Sequence, residues 1–440
     1  MSRGRRGAIK PVATREDDMR LTRRSFVATT AATALTGLRF SMRSAVAADA
    51  KVIKFGMPQD FTKIYTFVTA EYSQGARDYF TLVNGRGGVN GYKIDAEVSD
   101  HANDLPRAIE AYERLKREGM VLIDPLSTPV ARALVSRALE DKINLVTAFS
   151  GRSDAADGAV FPYVMPLSPN YWTQAGLIID FFRQQDKDLK GKKIVLVHID
   201  TPFGKEPIPI FQALGQKLGY SFETFPYTPP GNDQSAIWPQ VRRAKPDWVV
   251  FWGAGVGQTT ALSEAVRNGI PMDRMSSSVW ISESDMDVVG KDAVKGVLKF
   301  EPCASGRSPK VVADIIKEVA GKGQGAGPEA KIGTSYYNYG VMMAAIMVEG
   351  VRVAFQKNPN GPITGPWLND GLTAITDFTA EGLLPAMTVT KDDHQGGGKG
   401  RIARWDGTKF VPQTDWFSAN QDVVWAEIKK SAENFKTTGK

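Results

Sequence analysis

From Lys51 onward the chain alternates short apolar runs with amphipathic ones, and this alternation constrains the fold more than any other feature. KVIKFGM reads as a strand. In the Tyr72–Val83 segment, Ala76, Tyr79, Phe80 and Val83 fall on one helical stripe, and KIDAEVSD alternates like a strand with one buried face. Pro106 suits the first turn of a helix that Gly119 closes. MVLID, a helix over Val130–Leu139 and the strand INLVTAF complete a βαβ series, which requires a parallel sheet covered by helices on both faces. The pattern then restarts. YWTQAGLIIDFFRQQ, IFQALGQKLG, IWPQVRRA and TTALSEAVRNG read as helices between the strands KKIVLVHID, SFETFPY, DWVVFWG and SVWIS. Each set can bury its own core, so the class is α/β with two doubly wound parallel-sheet lobes. GKGQGAGPEAK reads as a surface loop, SYYNYGVMMAAIMVEGVRVAF as a buried helix, and Asp406-Gly407 as a two-residue hairpin turn.

Two glycine-rich stretches invite a nucleotide reading, and neither sustains it. LVNGRGGVNGYKI runs from helix to strand, whereas a phosphate loop runs from strand to helix so that free N–H groups face the anion. Gly85 or Gly87 fits a helix-ending left-handed position, and Asn90-Gly91 a tight turn. DWVVFWGAGVGQ has the right order, but Gln258 stands where the third glycine of G-x-G-x-x-G belongs. The glycines Gly253 and Gly255 then read as a strand-end loop facing a cleft. The three histidines are far apart, Asp392-Asp393-His394 reads as a solvated loop, and no nucleophile elbow or zinc helix motif is present. No enzyme, cofactor or metal is expected.

The first 48 residues carry ten basic and three acidic side chains, which accounts for the whole formal net charge of +7. The rest is balanced, so the basic pI gives no support to nucleic-acid binding. Thr22-Arg23-Arg24-Ser25-Phe26-Val27 matches a twin-arginine signal, followed by an apolar run of about twelve residues, too short to span a bilayer. Ala45-Val46-Ala47 offers a cleavage site, and either Met1 or Met19 fits as the start. Residues 1–48 are thus expected to direct export to the periplasm. Cys303 is the only cysteine, so no internal disulfide is possible.

The order and spacing of several runs resemble the leucine/isoleucine/valine-binding family of periplasmic receptors for ABC transporters. They are GARDYFTLVNGRGGVNGYKIDAEVSD, PRAIEAYERLKREGMVLIDPLSTPVARAL, VLVHIDTPFGKE, YTPPGNDQSAIWPQVRRAKPDWVVFWG and SYYNYGVMMAA. The resemblance implies a type I periplasmic-binding fold whose lobes are joined by a three-strand hinge. It places lobe 1 at 51–166 plus 300–375 and lobe 2 at 167–299 plus 376–440. It implies a monomeric receptor that captures a small carboxylate, a branched-chain or related amino acid, and serves membrane permease and ATPase subunits. Receptors for aromatic acids or amides, and sensory receptors, are the alternatives, with an exported enzyme on the same fold ranked below them. Ser127 and Thr128 stand where the family holds the ligand carboxylate, and Thr147, Phe149 and Ser150 lie in its second carboxylate loop. Phe203 replaces a tyrosine, Gly253 and Gly255 form a more open wall, and Glu283 falls near the acid that pairs with the ligand ammonium.

Overall fold

The computed structural model describes residues 51–149 and 151–439; the export signal with Arg23 and Arg24, and Ser150 of the expected ligand loop, lie outside the described residues. The first half of the chain builds β1 (Val52–Gln59), α1 (Thr66–Gly85), β2 (Lys93–Asp100), α2 (Leu105–Arg117), β3 (Leu122–Ile123), α3 (Thr128–Asp141), β4 (Asn144–Val146) and β5 (Val164–Met165). Its strands form a parallel sheet in the order β2-β1-β3-β4-β5. The second half repeats the scheme with α4 (Tyr171–Asp186), β6 (Lys193–Ile199), α5 (Pro202–Lys205), α6 (Ile208–Leu218), β7 (Ser221–Tyr227), α7 (Trp238–Ala244), β8 (Trp248–Trp252), α8 (Val256–Arg267), β9 (Met275–Ser277), α9 (Glu283–Val289) and β10 (Leu298–Glu301). Its sheet has the matching parallel order β7-β6-β8-β9-β10. Both lobes are doubly wound with the same topological switch, and in such sheets ligands bind beyond the carboxyl ends of the strands.

The chain then returns to lobe 1 with α10 (Lys310–Glu318), α11 (Ser335–Lys357) and α12 (Gly365–Leu372). It ends with β11 (Arg401–Trp405), β12 (Phe410–Pro412) and α13 (Gln421–Thr438); β11 extends the second sheet antiparallel to β10, and β12 pairs antiparallel with β11. Three passages therefore join the lobes, after β5, after β10 and before β11. They meet at single hydrogen bonds, Leu167 N to His394 O at 2.9 Å and Ala304 N to Leu383 O at 2.8 Å, rather than along a ladder.

Helix α11 is, among the described residues, the one helix long and apolar enough to cross a membrane, yet most of it is buried against α1 and α12. It crosses α1 at two glycines that face the opposing backbone. A Cβ on Gly75 would run into Tyr337 O, and one on Gly340 into Tyr72 O. Side-chain-free contact lets the two helices approach closely where larger residues would hold them apart.

Local chemistry explains most boundaries. Asp104, Ser127, Asn170, Ser282 and Thr334 cap α2, α3, α4, α9 and α11 with side-chain oxygens. After α1, Gly87 and Gly88 take left-handed φ values of 101° and 75°, and Gly88 N bonds back to Val83 O at 2.9 Å. Asn90 and Gly91, at φ 53° and 78°, close the turn between Val89 and Tyr92. The stretch is a turn, with no phosphate cradle.

Three local expectations need correction. Helix α1 begins at Thr66, six residues before Tyr72, because both Asp60 oxygens gather the amides of Thr62, Lys63, Ile64 and Tyr65 and so organise an entry turn. SVWIS is not a strand: β9 ends at Ser277, and Ser282 and Asp285 form a capping box that turns the chain into α9. The last hairpin has a four-residue loop, because Trp405 pairs with Phe410 and Asp406 Oδ1 accepts from Thr408 N and Lys409 N.

Candidate functional site

The carboxyl ends of β4 and β8 face each other across the lobe junction, and their side chains are largely aromatic. Phe149 follows β4 with φ 56°, a left-handed conformation unusual for a non-glycine residue. Its carbonyl accepts a hydrogen bond from the Tyr171 hydroxyl of lobe 2. Tyr171 in turn accepts from Trp280 Nε1 at 2.8 Å, and Thr128 Oγ1 also lies within reach of the hydroxyl. Gly151 N donates to Thr128 Oγ1 at 2.9 Å. One phenol thus links the two lobes at a single polar hub. Burial pushes its pKa well above the ordinary tyrosine value, so it remains a donor.

Rings enclose the hub. Trp280 lies edge-on to Phe149 at 5.7 Å and to Phe67 at 5.9 Å, and Tyr336 is 5.6 Å from Phe67. On the lobe 2 side, Phe203 and Trp252 sit 5.3 and 5.5 Å from Tyr171. Trp252 Nε1 and Thr147 Oγ1 are fully buried polar atoms without a protein hydrogen-bond partner, and both lie at strand carboxyl ends. Fifteen such side-chain atoms occur among the described residues, and atoms of this kind are satisfied by ordered water or a bound solute.

The structure brings Thr128, Thr147, Phe149 and Phe203 to this junction and leaves other expected residues differently engaged. The Ser127 hydroxyl donates to Asn103 Oδ1 at 2.7 Å and accepts from Val130 N, so its proton is already committed. Gly253 is packed against Phe251 and Tyr227. Gly255, at φ 59°, is approached by Ile64 O and Phe67 of lobe 1, so this wall is closed rather than open. Glu283 turns toward the start of α11, where its oxygens accept from Ser335 N at 2.9 Å and Ser335 Oγ at 3.1 Å. Beside it opens a cavity of about 670 Å³ lined by Glu283, Arg307, Thr334, Arg401, Lys409 and Phe410, among others. Sequence reasoning passed over Tyr171, Trp280 and Asp285. Asp285 is buried at the junction, accepting from Ser282 N at 2.8 Å and Tyr336 Oη at 3.0 Å. Only the position of these residues at element starts near strand ends could have marked them.

Further polar contacts cross the junction. Glu206 of lobe 2 accepts from Arg132 at 2.6 Å and from Ser153 N at 2.8 Å, both in lobe 1. Glu71 of lobe 1 accepts from Ser284 Oγ of lobe 2 at 2.9 Å and pairs with Lys331 at 2.7 Å. The lobes are therefore closed on each other. Among the described residues no group of three metal-donor side chains converges. His394 is buried with Nδ1 on Val164 O, and Asp393 accepts from Gln395 N and Gly397 N.

Residues 52–409 match the family described as periplasmic binding protein, and the chain belongs to that family. As a member of that family it is a binding protein rather than an enzyme. A structure from the Pseudomonas fluorescens group, described as an ABC transporter permease, is 29% identical and superposes with a TM-score of 0.82 over 88% of this chain and 97% of that one. A branched-chain amino acid ABC transporter from Thermus thermophilus with bound valine is 20% identical, with a TM-score of 0.74 over 86% and 98%. The Leu/Ile/Val-binding protein homolog 3 of Brucella melitensis biotype 1 is 22% identical over 229 residues, 52% of this chain and 61% of the relative's length.

Proposed function

We propose that the chain is the extracytoplasmic receptor of an ABC importer, closing its lobes over a small carboxylate with a bulky apolar body and serving membrane permease and ATPase subunits. The observation that carries this reading is the Tyr171 hub: polar groups from both lobes converge inside a ring-lined junction beside two unpaired buried polar atoms. A branched-chain or related amino acid fits the family, and Asp285 offers a buried counter-charge near the junction. The second reading is an aromatic acid. It is favoured by the flat faces around Trp280 and by the engagement of Glu283 with Ser335, which leaves that acid spoken for. Arg23 and Arg24 would route the protein to the periplasm through twin-arginine export.

Protein purified from its own periplasm should release an unmodified small acid in native mass spectrometry. Melting scans with leucine, isoleucine, valine and benzoate should show stabilisation by one chemical group, by ~2.7 kcal/mol at a hundredfold excess over Kd. If none of these compounds shifts the melt and no acid is recovered, the receptor reading fails. A precursor carrying lysine at both Arg23 and Arg24 should stay inside the cell, and its normal export would remove the twin-arginine route.

A further inference from the structure

Helix α13 divides its packing between the two lobes. Its first half rests on lobe 2: Asn420 Nδ2 donates to Gly176 O at 2.9 Å, Asp422 pairs with Lys217 at 2.5 Å, and Val424 packs beside Gly176 on α4. Its second half rests on lobe 1. Ser431 Oγ donates to Asp154 Oδ2 at 2.7 Å, Lys429 pairs with Asp157 at 2.9 Å, and the Phe435 ring packs at a tilt against Phe161 with centroids 4.7 Å apart. The Arg152 guanidinium lies over both of these rings, at 4.2 and 4.8 Å, and forms a two-point pair with Asp154. Val424 and Ile428 join the larger core, which spans both lobes, whereas Ala432 and Phe435 join the separate cluster of α2, α3 and β4.

The lobe 1 docking site is the segment Arg152–Phe161, which begins one residue after Gly151 and whose Ser153 amide already binds Glu206 of lobe 2. Asp154 and Asp157 are nearly inaccessible, each with a side chain 4% exposed, whereas Lys429 reaches Asp157 from a half-exposed position. A rigid helix fixed at both ends cannot follow two bodies that move apart. One end must undock, or the opening must be limited.

We propose that α13 is a strap across the lobe junction: its last two turns, through Lys429, Ser431 and Phe435, hold the segment behind the Thr147–Gly151 loop to lobe 2 and restrict opening. The strap follows from these contacts alone, and only its bearing on ligand capture rests on the receptor reading. The test uses the ligand-free full chain. Phe435→Ala with Ser431→Ala should speed amide exchange across 152–161 on the order of tenfold and raise the radius of gyration in solution scattering, with lobe 2 exchange unchanged. Lys429→Glu sets like charge against Asp157 without touching the core, and should give the same two changes in weaker form even if the double variant unfolds. Glu433→Ala, on the exposed side of the same helix, should give neither. Faster exchange with an unchanged radius would show that the contact is purely local and would overturn the strap, as would no change in either quantity for Lys429→Glu.

Discussion

Asp285 is a buried carboxylate, and desolvation pushes its pKa up to about 6, with the nearby Glu71 charge acting in the same direction. Asp124, held by Tyr72 Oη at 2.6 Å beneath the first sheet's carboxyl edge, is raised to the same value by burial. Between their unfolded values near 4 and about 6, the folded chain binds more protons than the unfolded one, so stability falls as pH rises through that window. The penalty is absent below pH ~4 and complete above ~6, on the order of 2–3 kcal/mol per group. Asp285→Asn should therefore gain stability over the parent as pH rises from 4 to 6 in denaturant titrations. Parallel curves for the two proteins would show that Asp285 does not titrate there. Residue type was readable in advance here, but burial was not. Glu283 and Asp285 are two positions apart in WISESD, and only the packing of Tyr336 and Ser335 decides which one faces the junction.

At the scale of elements, helices with a plain apolar stripe or a recognisable cap were legible from spacing, as α2 with Asp104 and Pro106 shows. Short strands were legible as apolar runs, but their ends were not. INLVTAF continues apolar past Val146, yet the ladder stops there because β5 offers only two residues to pair with and Phe149 turns left-handed. The crossing of α1 and α11 is a stronger constraint than either helix's own propensity. Gly340→Ala should destabilise the fold by roughly 1–3 kcal/mol, since a methyl group there meets backbone that no rotamer change can move aside. Gly85→Ala, with open space around it, should be neutral or mildly stabilising. Urea midpoints compare the two directly. Equal midpoints would mean that the helices can separate without cost.

For the whole molecule, closure is held by few polar contacts, among them those of Glu206, whose side chain is only 2% exposed. Arg132→Met leaves that carboxylate with the Ser153 amide as its remaining lobe 1 partner. A hydrogen bond to a charged group is worth roughly 1.5–3 kcal/mol, so the open-to-closed ratio should rise about tenfold to a hundredfold. Solution scattering should then show a larger radius of gyration with a nearly unchanged melting temperature. An unchanged radius would place the closing force elsewhere. The sequence by itself determined two doubly wound lobes, because strand–helix alternation leaves a parallel sheet few other ways to bury its faces. It also pointed to the strand-end loops as the place of the proposed ligand contacts. Only the tertiary structure decided which side chains meet between the lobes, because Tyr171 and Trp280, remote in sequence, meet through the packing of lobe 2 and Phe149 reaches them from lobe 1. For the same reason the bridging position of α13 is not legible in the sequence. Amphipathic spacing says that a face is buried, and it carries no information about how many bodies bury it.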